Sequence, residues 1–120
     1  MTTSKQIGDE AEQFALDYLQ RAGLILIEKN FHRPGGEIDL IMTDKKALVF
    51  VEVRYRKSAR FGSALESVNW QKQQRLILTA SAYIQQKATT YPAYRFDVVA
   101  IMPENNSFQI NWLKDAFQLN

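Results

Sequence analysis

The sequence of 120 residues contains no cysteine and only one histidine, His32. The absence of cysteine excludes a disulfide scaffold, a cysteine-ligated zinc site and a cysteine nucleophile. A metal centre made of two histidines and a carboxylate is excluded too, and a Ser-His triad would need His32 itself. No apolar run reaches the roughly 18 residues of a membrane span, and residues 1–6 lack the apolar stretch of a signal peptide. These absences predict a small soluble protein of the cytoplasm.

Length and composition predict a single domain over residues 1–120. Hydrophobic residues make up 46% of the chain and charged residues 23%. These proportions are typical of a globular protein that can bury a core, and not of a disordered chain. The sequence shows no internal repeat, low-complexity tract or linker at which a second domain would begin.

The net charge of +2 conceals a strongly basic middle segment. Residues 1–52 carry a net charge of −3, residues 53–96 carry +7, and residues 97–120 carry −2. Such a segment is typical of a surface that binds a polyanion, and the alternative is a solvated face without a partner. Basic residues grouped around an aromatic one favour nucleic acid. The group consists of Arg54, Tyr55, Arg56, Lys57 and Arg60.

Hydrophobic periodicity predicts the element order α-β-β-β-α-β-β. Apolar residues at three- and four-residue spacing predict helices over 5–22 and 64–87. Strands are predicted over 24–31, 38–42, 47–53, 96–101 and 107–113. The continuous apolar run within the third strand predicts burial on both faces and a central position, and the last strand is predicted at an edge. The order predicts an α/β fold in which helices pack against a mixed sheet.

Two carboxylates, Asp39 and Glu52, interrupt strands whose other residues are apolar. An unpaired buried carboxylate costs several kcal/mol, so such a residue has a partner or binds a metal. Because side chains alternate along a strand, Glu37 shares a face with Asp39, and Arg54 shares one with Glu52. A hairpin between the strands brings the two sets together. Converging carboxylates form an oxygen site suited to Mg²⁺ or Mn²⁺, and the alternative is a structural ion pair such as Asp39 with Arg54.

Two other acidic positions are interpreted differently. On the first helix Glu12 lies beside the apolar face, whereas Glu10 is about 200° away, so Glu12 is predicted to face inward. Asp97 lies in a buried strand and is interpreted first as a structural partner of Arg95 or Arg56.

The aromatic side chains are assigned to packing or to stacking. Trp70 and Trp112 are predicted to pack within the protein. Tyr55, predicted to be exposed between two arginines, is the candidate for stacking on a base.

Residues 36–41 (GEIDLI) and 49–56 (VFVEVRYR) closely resemble segments of the bacterial YraN family of predicted endonucleases. That family is similar to archaeal Holliday junction resolvases and has the restriction-endonuclease-like fold with a PD-(D/E)XK active site. The resemblance covers nearly the whole chain. Its other segments are the first helix with Glu12, the pair Phe61-Gly62, the helix carrying Lys72, residues 95–99 and residues 116–117.

The resemblance implies that Asp39 and Glu52 are metal ligands and that Glu12 is an additional catalytic carboxylate, which helps them to hold the metal. It also places Arg54 at the lysine of the Glu-x-Lys motif. Lysine in this place orients the attacking water or takes its proton, whereas arginine keeps its proton and cannot act as a base. Arginine is still able to contact a phosphate or stabilise charge in the transition state. Lys57 and Lys72 are the alternatives for the missing lysine.

The sequence therefore predicts an Mg²⁺- or Mn²⁺-dependent endonuclease acting on branched or structured DNA, and the resolvase resemblance implies a homodimer. The residues expected to contact nucleic acid are Arg54, Tyr55, Arg56, Lys57, Arg60 and Lys72. One alternative is a non-catalytic nucleic-acid-binding module that retains the nuclease fold. Another is a dimeric interaction protein whose basic face meets an acidic protein partner.

Overall fold

The alternation of apolar segments along the chain produces two helices and five strands in the predicted order. The computed structural model describes residues 3–58, 63–88 and 90–118. The elements are α1 (Ser4–Arg21), β1 (Ile25–Arg33), β2 (Gly36–Asp44), β3 (Ala47–Tyr55), α2 (Trp70–Lys87), β4 (Ala93–Glu104) and β5 (Ser107–Phe117), with a short 3₁₀ helix (Leu65–Ser67) before α2. The predicted α/β fold class is confirmed, and the arrangement is consistent with a restriction-endonuclease-like fold.

The five strands form one mixed sheet in the order β1-β2-β3-β4-β5. Neighbouring strands are antiparallel except for β3 and β4, which are parallel. Parallel strands need a crossover connection, and α2 supplies it. The third strand is central and the last is at an edge, as predicted.

Each helix buries its apolar stripe against a different face of the sheet. From α1, Ala11, Ala15, Leu16 and Leu19 pack on one face. From α2, Leu76, Ala80 and Tyr83 pack on the other face. Covering both faces requires central strands that are apolar at successive positions, which explains residues 48–51. Among the described residues, no helix is long and apolar enough to span a membrane.

The second helix begins at Trp70, six residues later than predicted. Asn69 is the N-cap, and its side chain accepts a hydrogen bond from the Lys72 backbone N–H at 2.8 Å. The cap satisfies a backbone donor that the helix leaves unpaired, so it determines where the helix starts.

Substitution of Gly36 is expected to destabilise the protein, because α2 passes directly over the start of β2. A Cβ atom at Gly36 would overlap the hydroxyl of Thr79 and lie 3.4 Å from the Arg75 carbonyl oxygen. The Thr79 side chain is buried, and its hydroxyl donates to that carbonyl at 2.7 Å. Gly36→Ala should therefore cost about 1–3 kcal/mol of the free energy of unfolding, measured by urea denaturation.

Gly8 on α1 is the matched control, because no atom lies within 4 Å of the place a Cβ would take. Gly8→Ala should increase stability by about 0.5–1 kcal/mol. Equal stability of Gly36→Ala and wild type would contradict the close approach of α2 to β2.

Candidate active site

The hairpin of β2 and β3 brings Asp39 and Glu52 together at the point where the two strands separate. Their ladder begins at Asp44 opposite Ala47 and ends at Leu40 opposite Val51. Asp39 and Glu52 are the next pair in the same register, and Cβ atoms of directly opposite residues are about 5 Å apart. Beyond the ladder, the backbone N–H of Val53 donates a hydrogen bond to Asp39 Oδ2 at 2.8 Å.

Glu52 is buried, with 6% of its surface exposed, and two cations from different elements approach it. Lys72 Nζ lies 3.3 Å from Glu52 Oε2, and Arg54 Nη1 lies 3.9 Å from the same oxygen. Lys72 stands in the first turn of α2, which the Asn69 cap fixes. Of the two alternatives for the missing lysine, the structure brings Lys72 to the carboxylates, whereas Lys57 is exposed beyond the end of β3.

Burial and a neighbouring charge perturb Asp39 strongly. Removal from water, and next the negative charge of Glu52, raise the pKa of Asp39 from 3.8 to about 8. The Val53 N–H favours the ionised form but does not outweigh these effects. A hydrogen bond between the Asp39 and Glu52 side chains adds to this rise in the pKa of Asp39, because it requires a proton between the two carboxyl groups.

Glu12 belongs to the same acidic neighbourhood and approaches from α1. It is half-buried whereas Glu10 is exposed, in agreement with the helical-wheel prediction. Burial raises the pKa of Glu12 above its usual value, the charge of Asp39 adds to this effect, and Lys29 and Asn30 oppose it. Glu37 is exposed, and its carboxylate oxygen lies 3.6 Å from His32 Nε2 on the neighbouring strand.

The carboxylates of the site offer the oxygen ligands that a hard divalent cation prefers. Within the described ranges, no three histidine or acidic side chains lie close enough together to form a ready-made metal site. Mg²⁺ commonly uses only one or two protein carboxylates and completes its shell with water and substrate phosphates. Asp39 and Glu52 fit that pattern as a pair, while Glu12 as a third ligand stays a prediction.

Arg54, Tyr55 and Arg56, at the end of β3 and just beyond it, divide between the two faces of the sheet. Arg54 and Arg56 are half-buried on the side covered by α2, and Arg54 Nε has no hydrogen-bond partner among the described residues. Tyr55 points to the side covered by α1, where it is half-buried and packs edge-on against Phe108 at a centroid distance of 6.2 Å. The expectation that Tyr55 is exposed was wrong, because alternation along the strand turns it away from the arginines. Arg60 and the pair Phe61-Gly62 lie outside the described residues.

Asp97 has a structural role and is completely buried. Its carboxylate accepts hydrogen bonds from Arg95 Nε at 2.9 Å, from Trp112 Nε1 at 2.9 Å and from the backbone N–H of Asp115 at 3.0 Å. Arg95 also pairs with Asp44 at 2.9 Å. These donors fix β4 against β5 and identify Arg95, not Arg56, as the partner of Asp97.

The two tryptophans differ in exposure. Trp112 is partly buried by its bond to Asp97 and by an edge-on contact with Tyr18, as predicted. Trp70 was expected to pack but is 69% exposed, because it is the first residue of α2 and lies off the buried stripe.

Comparison with known proteins identifies the family. The profile of the Uncharacterised protein family UPF0102 matches residues 11–101. A UPF0102 protein of Nitrosococcus oceani is 49% identical over 119 residues, covering 98% of this chain and 95% of the relative. One from Pseudomonas syringae pv. syringae is 48% identical and covers 97% and 96%, and one from Janthinobacterium sp. is 48% identical and covers 97% and 91%. These matches are consistent with the YraN resemblance, and the chain belongs to the UPF0102 family.

Proposed function

We propose that this protein is a metal-dependent endonuclease that hydrolyses phosphodiester bonds in branched or otherwise structured DNA. One observation carries the proposal: a carboxylate pair, the half-buried Asp39 and the buried Glu52, lies at the end of a strand ladder with the Lys72 amine 3.3 Å from Glu52. A structural ion pair would neutralise each carboxylate. Here burial and the charge of Glu52 instead raise the pKa of Asp39 far above its usual value, and a carboxyl group perturbed in this way is typical of functional sites.

The residues of the site would divide the chemistry between them. Asp39 and Glu52 would hold Mg²⁺ or Mn²⁺, which when bound lowers the pKa of a water and neutralises charge on a phosphate. Asp39 must lose its proton before it serves as a ligand. Lys72 keeps Glu52 in place and positions an ammonium where the attacking water or the phosphate would lie. Arg54, which cannot act as a base, is suited to contact the phosphate.

Arg54 specifically favours a second candidate function. An arginine at the lysine position of the motif is compatible with a nucleic-acid-binding module that keeps the nuclease fold without cleavage. In that case Lys72 would serve only as the ion-pair partner of Glu52. The two candidates differ in metal binding and in hydrolysis, and they agree in DNA binding.

Titration calorimetry with Mg²⁺ and Mn²⁺ tests the proposal. We expect wild-type protein to bind with release of a proton at pH 7, seen as a dependence of the heat on the buffer, because Asp39 must ionise. The double variant Asp39→Asn with Glu52→Gln should show no binding. The matched control, Asp17→Asn with Glu10→Gln, removes one Asp and one Glu from exposed positions of α1 and should bind as wild type does.

A cleavage assay then separates the two candidate functions. Wild-type protein with Mg²⁺ or Mn²⁺ should cut a four-way junction and should be inactive in EDTA. The absence of metal binding by wild type, even with DNA present, would refute the nuclease proposal and favour the non-catalytic module.

A further inference from the structure

A cavity of about 310 Å³ opens on the side of the sheet covered by α2, beside the candidate active site. The end of β3 and the strands β4 and β5 form its base, and the segment before α2 forms one wall. Its lining includes Arg56, Ala64, Ala100, Met102, Gln109 and Asn111. None of these residues belongs to the carboxylate pair or its cations.

Strand register places the cavity next to Glu52. Glu52 pairs with Val98, and Arg54 pairs with Ala100, which in turn pairs with Asn111. Residues two apart on one strand face the same side and are roughly 7 Å apart. The Ala100 row is therefore one step from Glu52, a distance comparable with the length of one nucleotide.

A second row of residues, Arg56, Met102 and Gln109, extends the cavity by one more step along the strands. The Arg56 backbone N–H donates to the Ile101 carbonyl at 2.8 Å, which extends the pairing of β3 with β4 beyond Tyr55. Met102 pairs with Gln109 in this row. Alternation on β5 turns Gln109 and Asn111 to this side, while Phe108 and Ile110 pack on the other face.

The lining combines an apolar floor with three polar side chains for which the described residues supply no partner. Ala64 is buried, and Ala100 and Met102 are partly buried. The Arg56 guanidinium and the amides of Gln109 and Asn111 make no hydrogen bond or ion pair among the described residues. An apolar floor edged by the exposed amides of Gln109 and Asn111 and by a guanidinium has the chemistry of a site for a planar heterocycle attached to an anion.

We propose that this cavity binds one unpaired nucleobase of the strand whose backbone crosses Glu52. Amide side chains present a donor and an acceptor together, which matches the edge of a base, and the apolar floor stacks against its face. Arg56 at the rim contacts the phosphate of the same nucleotide. A base inside a duplex is stacked and paired, so only an unpaired or extruded base enters. The inference rests on the proposed function and specifies its substrate: DNA with an unpaired nucleotide close to the cleaved bond.

Binding of fluorescent single-stranded DNA in EDTA tests the cavity, with an abasic site moved along the strand one position at a time. With wild type, one position should lower affinity about tenfold, because stacking and edge contacts of one base are lost. The double variant Gln109→Leu with Asn111→Leu should bind the intact strand about tenfold more weakly. The affinity of this double variant should fall no further with the strand that is abasic at that position, because the base and the two amides form one and the same contact.

Matched controls separate this coupling from general effects. Gln85→Leu with Gln86→Leu removes two exposed amides from the far end of α2 and should keep the full loss at the abasic position. Asn111→Asp retains the size of the side chain, so it keeps the fold intact while its charge repels the nucleotide. Equal affinity for every abasic strand, or losses that add between abasic site and cavity variant, would overturn the cavity proposal.

A failure of the cavity proposal is distinguishable from a failure of the nuclease proposal, because binding in EDTA needs neither metal nor cleavage. Base-specific coupling without metal-dependent cleavage would refute the nuclease and leave the cavity standing. Metal-dependent cleavage without coupling between the abasic site and the cavity variant would support the nuclease proposal and refute the cavity proposal.

Discussion

Asp39→Asn is expected to abolish cleavage and, at the same time, to make the protein more stable than wild type at neutral and alkaline pH. Cleavage of a four-way junction should fall at least about 10³-fold, because an amide is a poor ligand for a hard cation and only one of the two carboxylates remains. DNA binding should change by no more than a few fold, since the cations of the basic segment are untouched. Normal cleavage by Asp39→Asn would show that the proposed site is wrong.

The gain in stability follows from the pKa of Asp39. The folded protein holds the proton to a pH of about 8, whereas the unfolded chain releases it near 3.8. Between these values the folded state binds more protons, so the free energy of unfolding falls as the pH rises. The stability contributed by protonated Asp39 is complete below about pH 4 and lost by about pH 8. An amide keeps the neutral form at every pH and still accepts a hydrogen bond from the Val53 N–H.

Urea denaturation at several pH values measures this effect. A shift of one pKa unit corresponds to about 1.36 kcal/mol. The free energy of unfolding of Asp39→Asn should therefore exceed that of wild type by about 3–5 kcal/mol at pH 9 and by less than about 1 kcal/mol at pH 4. Asp17→Asn removes an exposed negative charge and is the control, because its difference from wild type should not follow this pH profile. A constant difference between Asp39→Asn and wild type across the range would mean that Asp39 ionises in the folded state as readily as in the unfolded chain.

Lys72→Gln is expected to lower cleavage about 100-fold or more while DNA binding weakens only slightly. Among the residues that the structure describes, its amine is the cation closest to Glu52, at 3.3 Å against 3.9 Å for Arg54. A positioned group that orients water or stabilises developing charge contributes about 10²–10⁴ to a rate. Arg54→Lys should change the rate only a few fold, since the lysine role is already filled from α2.

Lys87→Gln is the matched control, since it removes a lysine from the other end of the same helix, where the side chain lies 3.9 Å from Glu28. It should cleave as wild type does. A large gain of cleavage by Arg54→Lys together with a normal rate for Lys72→Gln would contradict the assignment. The amine of Lys72 would then serve only to neutralise Glu52.

How much of the site was predictable from the sequence differs from residue to residue. The pairing of Asp39 with Glu52 was predictable, because alternation and a short hairpin fix which positions meet across two strands. The central position of β3 followed from its continuous apolarity. The choice of Lys72 over Lys57 was not predictable, since it depends on where α2 begins and how it rotates about its axis. Asn69, three residues before Lys72, was the available signal of that start, as an N-cap residue preceding a helical pattern.

Other parts of the site depend on tertiary contacts that no local pattern encodes. Alternation along β3 is enough to turn Tyr55 away from the two arginines, but its half-buried state depends on its contact with Phe108 of β5. Gln109 and Asn111 have the pattern of the solvated side of an edge strand. Only the pairing with β4 shows that they border a cavity one step from Glu52. The chemistry of single strands was therefore accessible from the sequence, whereas features made by three or more elements were not.

The contact of Gly36 with Thr79 has a mechanical consequence for the distant amine of Lys72. Seven residues of helix, roughly 10 Å, separate Thr79 from Lys72. The Asn69 cap determines the rotation of α2 about its long axis, and Gly36 determines how closely the helix packs on the sheet. Together, the Asn69 cap and Gly36 hold the Lys72 amine beside Glu52. A methyl group at position 36 would push α2 away from the sheet at Thr79. Because the helix moves as a rigid unit, the Lys72 amine would be displaced as well.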